Sequence, residues 1–123
     1  MQSLIKVLYP PQCVMCDTRT EVDFALCGAC WGETPFIDGL CCYAFGVPLH
    51  GEGEPEEGVF CDGCMVIARS WSKGRAVMAY RDKARRFVLS LKHGDRTDLA
   101  RSAAPWMARA AKPLLTDDML IVP

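Results

Sequence analysis

The sequence predicts a two-part chain: a small, mostly irregular metal-stabilised module with some β structure, followed by the strand–helix–helix–strand opening of an α/β domain. Three observations carry this prediction. All eight cysteines lie at or before position 64 of the 123 residues. Charge divides at the same place: residues 1–65 hold Lys6 and Arg19 against ten acids, and residues 66–123 hold twelve bases against five acids. Beyond Ser72 the irregular texture gives way to helical periodicity.

Half of the residues are apolar and 24% are charged, a globular profile rather than a disordered or membrane-embedded one. No run approaches the ~20 apolar residues of a membrane span. The first eleven residues carry an apolar patch (Leu4, Ile5, Val7, Leu8, Tyr9) broken by Lys6, with no small-residue cleavage site. A cytoplasmic location and no membrane insertion are the expectations. Pro10-Pro11 ends this segment.

Cys13-Val-Met-Cys16 and Cys27-Gly-Ala-Cys30 then form two Cys-x-x-Cys pairs. Two intervening residues let both sulfurs of a turn face one centre, and two such turns supply the four thiolates of a closed tetrahedral zinc site. A disulfide framework would require an oxidising compartment, and a redox pair would not be repeated. Trp31, Phe36 and Ile37 are expected to form the apolar layer beside this site.

Cys61-Asp-Gly-Cys64 is a third pair, but Cys41-Cys42 is adjacent, and the position that would complete a pair with Cys42 is Phe45. A second zinc site would therefore use Cys42, Cys61 and Cys64, with Cys41 or His50 as the fourth ligand. The alternative is a decayed site with Phe45 as a core residue. The segment 46–58, with four glycines, two prolines and four glutamates, reads as a flexible loop.

In the second part, Arg75–Tyr80 reads as a strand. Ala84, Phe87, Val88 and Leu91 follow at helical spacing, with Lys83, Arg85, Arg86 and Lys92 on other faces and Gly94 as the stop. Asp98 is placed to cap a second helix whose apolar residues run from Leu99 to Leu114, with a kink or late start at Pro105. Asp117-Asp118 then makes a turn before a short strand, Met119–Val122. His93, beside Gly94, suits a helix C-terminal role more than a ligand-binding one.

The run Tyr9-Pro-Pro-Gln-Cys-Val-Met-Cys16, the pair Cys27-Gly-Ala-Cys-Trp31, Pro35-Phe-Ile37, Cys42 with Gly46-Val-Pro-Leu49, and above all Leu91-Lys-His-Gly-Asp-Arg-Thr-Asp-Leu99 with Pro105-Trp-Met107 resemble the ComF family. The resemblance implies a double zinc ribbon over residues 1–66 and the N-terminal part of a phosphoribosyltransferase-like domain over 67–123. It also implies a role in DNA uptake during natural competence, with single-stranded DNA or import proteins as partners. Lys83, Arg85, Arg86, Lys92, His93 and Arg96 are the candidate phosphate contacts, with Tyr80 or Trp71 available to stack on bases. Phe45 departs from the family pattern, which places a cysteine there.

An enzyme reading is the alternative: a phosphoribosyltransferase using phosphoribosyl pyrophosphate. The chain lacks that family's acidic pair followed by Thr-Thr-Gly, so no catalytic residue is assigned, and the cofactor is expected only in a full-length protein. A standalone zinc-ribbon interaction module is the third reading. In it, Leu120-Ile-Val122 would drive self-association.

Overall fold

The computed structural model describes residues 4–123. Five α-helices follow one another: α1 (Leu4–Leu8), α2 (Gly28–Glu33), α3 (Asp62–Val66), α4 (Asp82–His93) and α5 (Leu99–Ala111), with a 3-10 turn at Lys112–Leu114. Among the described residues β structure is confined to three isolated antiparallel bridges, Gln12 with Arg19, Phe36 with Met78 and Cys41 with Pro48.

The chain forms two compact units, and neither is a continuous stretch. One comprises Met1–Pro35 with Tyr80–Pro105, the other Phe36–Ala79 with Trp106–Pro123.

The first unit is built from turns around Cys13 and Cys30, with α4 packed on α2. The amphipathic spacing of α4 explains its placement: Ala84 and Phe87 are buried while Arg85 and Arg86 are exposed. Gly94 caps α4, its N–H donating to Ser90 O, where the sequence places the stop. α5 starts at Leu99 and runs through Pro105, so the proline does not delay the helix as one expectation had it. Leu99 is fully buried, and Ser102 Oγ donates to Phe24 O at 2.6 Å. Arg101 stacks over the Phe24 ring, 5.0 Å from its centroid.

In the second unit Cys41, Cys42, Ala44 and Gly46 are buried. Trp71 Nε1 donates to Ala44 O at 2.7 Å and Arg75 Nη1 to Tyr43 O at 3.1 Å. Phe36 meets Trp106 edge to face, with centroids 5.3 Å apart.

Three expectations are corrected. The strands placed at 75–80 and 119–122 are irregular apart from the Met78 bridge. A strand exists only against a partner ladder, and Phe36 alone supplies one here, so local β propensity is not enough. Trp31, expected inside an apolar layer, is half exposed. Residues 46–49, assigned to a loop, instead close a cysteine turn. The predicted turn at Asp117-Asp118 is present.

Candidate metal centres

The first centre starts from a tight turn. Cys13 N–H donates to Thr18 O at 2.7 Å, Asp17 N–H to Cys13 O at 3.0 Å, and Thr20 N–H to Pro11 O at 2.9 Å, which folds the chain back on itself and projects Cys13 and Cys16 together. Asp17 takes the left-handed conformation, φ 62°, that this reversal requires. Cys27 is the N-cap of α2, and its Sγ accepts from Cys30 N–H at 3.4 Å. One helical turn then brings Cys30 alongside. The four Sγ atoms lie within 4.8 Å of one another. Zinc–thiolate bonds of ~2.3 Å place tetrahedral sulfurs about 3.8 Å apart, so this donor set fits a closed zinc site.

The thiols of the metal-free cluster are far from equivalent. Hydrogen bonds from the Thr18 side chain and backbone bring Cys16, which is exposed, down to about 6. At Cys30, Lys83 favours the thiolate, but burial and the sulfurs of Cys16, Cys27 and Cys13 outweigh it and push the thiol up to about 12. Lys83 Nζ stands 3.0 Å from Cys30 Sγ and 2.8 Å from Glu33, and this carboxylate, with the sulfur, raises the ammonium above its ordinary range.

The second centre repeats the design. Cys42 N–H donates to Val47 O and Gly46 N–H to Cys42 O, both at 2.8 Å, and Leu49 N–H donates to Leu40 O at 3.0 Å. Gly46, φ 77°, holds the place that Asp17 holds in the first turn. A Cβ here would sit 2.6 Å from Ala76 N, so the turn also needs glycine for close approach. Cys61 precedes α3 with φ −74° and ψ 161°, matching Cys27 at −70° and 163°. Cys42, Cys61 and Cys64 bring their sulfurs within 4.8 Å of one another. These three thiolates also suit zinc. Burial opposes ionisation of Cys42, yet backbone N–H groups of Cys61, Phe45 and Ala44 bring its thiol down to about 7.

Neither proposed fourth ligand belongs to this cluster. Cys41 is buried at the bridge to Pro48, and neighbouring residues of extended backbone project to opposite sides, so it cannot share the centre reached by Cys42. His50 is exposed beyond the turn.

The candidate phosphate contacts fall into two groups. Lys83 is engaged by Glu33 and Cys30, and Arg96 is engaged by Asp98 through Nε and Nη2, both at 2.9 Å, and by Val14 O. Arg85, Arg86, Lys92 and His93 are exposed on α4. Tyr80 is exposed, whereas Trp71 is tied to Ala44 O and carries Arg69 over its ring.

Sequence reasoning missed Lys83 as the cation of the first cluster and Arg69 as its counterpart in the second. Arg69 favours the Cys64 thiolate, and its guanidinium lies 5.0 Å from the Phe45 ring centroid. No helix among the described residues is long and apolar enough to cross a membrane.

Compared with the sequence models of protein families, residues 4–65, half of the chain, match the Double zinc ribbon domain. No curated protein and no solved structure matches the chain.

Proposed function

For a chain that belongs to the double zinc ribbon family, we propose a ComF-like role in which the zinc-built first unit presents the outer face of α4 to single-stranded DNA during DNA uptake. One observation carries the reading: Arg85, Arg86 and Lys92 are exposed on α4, and no ion pair engages them among the described residues. Arg85 and Lys92 stand two helical turns apart on the same face, suited to successive phosphates of a flexible strand. Tyr80, exposed near the start of α4, is the stacking residue of this reading. Burial of Ala84 and Phe87 beneath fixes the face to the ribbon.

In the same reading residues 67–123 open a phosphoribosyltransferase-like domain, and DNA-import proteins are further partners. Support for that part is the Leu91–Leu99 segment and the helix pair α4 and α5 in the expected order. A paired strand at 75–80 or 119–122 is what it lacks. Turnover of phosphoribosyl pyrophosphate is not expected of this chain, which has no phosphate-cradling loop.

Binding of the zinc-loaded chain to a fluorescent oligothymidine across a salt series tests the proposal. Three neutralised phosphates give a log–log slope of about −2. Reversing Arg85 and Arg86 to glutamate should abolish binding while zinc content stays unchanged. Binding that ignores salt, or survives the reversal, would refute the DNA reading.

A further inference from the structure

The two cysteine centres are copies of one backbone design, and the copying shows which ligand the second has lost. Cys13 corresponds to Cys42 through the hydrogen bonds to Thr18 O and Val47 O. Asp17 corresponds to Gly46, each with positive φ and each donating its N–H to the first cysteine's carbonyl. Val14 N–H donates to Ala25 O just as Tyr43 N–H donates to Val59 O. Phe24 and Gly58, each next before that acceptor, both have positive φ, 59° and 89°. Cys27 and Cys61 cap equivalent helices. Each of these backbone features therefore has its counterpart, although only Cys27 also accepts a side-chain cap bond, and the position equivalent to Cys16 is Phe45.

Phe45 does not fill the centre as a core residue. The residue is 45% exposed, and its ring serves as a platform for Arg69, which also lies over Trp71. The Arg69 Nη2 lies 3.8 Å from where a Cβ on Gly63, next to Cys64, would stand, and its Nε is buried without a hydrogen-bond partner among the described residues. The equivalent cation of the first cluster is Lys83, which reaches Cys30. Four thiolates around a divalent ion leave a charge of −2 for Lys83 to offset, whereas three leave −1, which Arg69 matches.

We propose that the second ribbon is a three-thiolate zinc centre, Cys42, Cys61 and Cys64, open at the position of Phe45, and that its zinc exchanges while the first ribbon keeps its own. Three protein ligands with an open fourth position are the arrangement that separates exchangeable and reactive zinc sites from closed structural ones. The proposal rests on the family's zinc binding and not on DNA: loss of oligothymidine binding leaves it intact, and it can fail while DNA binding holds.

The test is zinc release from the fully loaded chain to an excess of a chromogenic pyridylazo chelator. Two zinc ions per chain are expected, leaving in two phases separated at least tenfold in rate. Phe45→Cys restores the missing ligand and should merge the fast phase into the slow one. Cobalt substitution reads the same change without relying on rates, because thiolate-to-cobalt absorption of the second equivalent should rise to that of the first in Phe45→Cys. Cys42→Ser, which breaks only the second centre, should remove the fast phase and leave the slow one. One zinc per chain, a single release phase in the parent protein, or a fast phase that Phe45→Cys leaves unchanged would each overturn the proposal.

Discussion

Lys83 reaches Cys30 across 53 residues of sequence, its Nζ 3.0 Å from the sulfur and 2.8 Å from Glu33. The contact joins α4 to the metal centre at the start of α2, at the Cys30 thiol that burial and the neighbouring sulfurs make hard to ionise. A cation beside a ligand sulfur makes the thiolate easier to form and offsets charge on the cluster. Lys83→Met should therefore speed zinc loss from the slow centre about tenfold, in line with other outer-shell ligand contacts. Chelator release measures it, and far-UV circular dichroism checks that α4 persists. An unchanged release rate would reduce Lys83 to a surface partner of Glu33.

Equivalent backbone positions should respond in opposite ways. Asp17 and Gly46 both occupy the left-handed region, but only Gly46 faces a close backbone, Ala76 N and the Arg75 carbonyl carbon lying 2.6 and 2.8 Å from where a Cβ would stand. Asp17→Gly should hold or slightly raise stability, by relieving a conformation that costs a non-glycine residue about 1 kcal/mol. Gly46→Ala should displace the segment at Arg75-Ala76 and lower the zinc content of the second centre. Elemental analysis and thermal unfolding of both variants decide it.

The cysteine pairs were legible because metal coordination imposes a spacing that survives without knowledge of the fold. Cys13, Cys16, Cys27 and Cys30 come together, and so do Cys42, Cys61 and Cys64. Likewise α4 was legible from the spacing of Ala84, Phe87, Val88 and Leu91 and from its glycine stop. The strands at 75–80 and 119–122 were not, because pairing is non-local and propensity cannot say whether a partner ladder exists. Lys83 and Arg69 escaped for a similar reason: a basic side chain on a helix or loop looks solvated until the sulfur it reaches is known. The departure at Phe45 was legible from the spacing of Cys42, but the residue-by-residue match of the two knuckles was not, because the loops between their halves differ in length. The matched positive-φ positions of Asp17 and Gly46 show it only once backbone angles are known.

The first unit has two points where α5 is fastened. Leu99 is fully buried, and truncation to alanine should cost about 2–5 kcal/mol, the range for deleting a buried leucine side chain. Ser102, also buried, donates to Phe24 O at 2.6 Å. Ser102→Ala leaves that carbonyl without its donor and should cost about 1 kcal/mol. Urea unfolding in excess zinc gives both values. If Ser102→Ala proves neutral, the Phe24 carbonyl has found water, and the loop before Cys27 is looser than its hydrogen bond implies.

Acid should strip zinc from the two centres at different pH. Zinc binds thiolates, so the metal-free chain holds more protons than the loaded one, and affinity must fall as pH falls. In the metal-free chain the first proton is lost at about 6 from Cys16 and about 7 from Cys42. Cys30 retains its proton to about 12, and Cys64 lies above the usual range despite Arg69. At neutral pH zinc must displace these last protons itself, which makes proton release accompany binding. Below the first ionisation each centre must release one proton more, so its affinity falls more steeply, from about pH 7 for the second and about pH 6 for the first. With four thiols the first centre has the steeper dependence on pH, but the second holds its zinc with one thiolate fewer and so more weakly, which places its release at the higher pH. A pH titration of bound zinc, followed in parallel with Cys42→Ser, separates the two steps. The expected result is a biphasic loss whose higher-pH step disappears in Cys42→Ser. A single step shared by both proteins would show that the first centre, through Cys16, sets acid sensitivity alone.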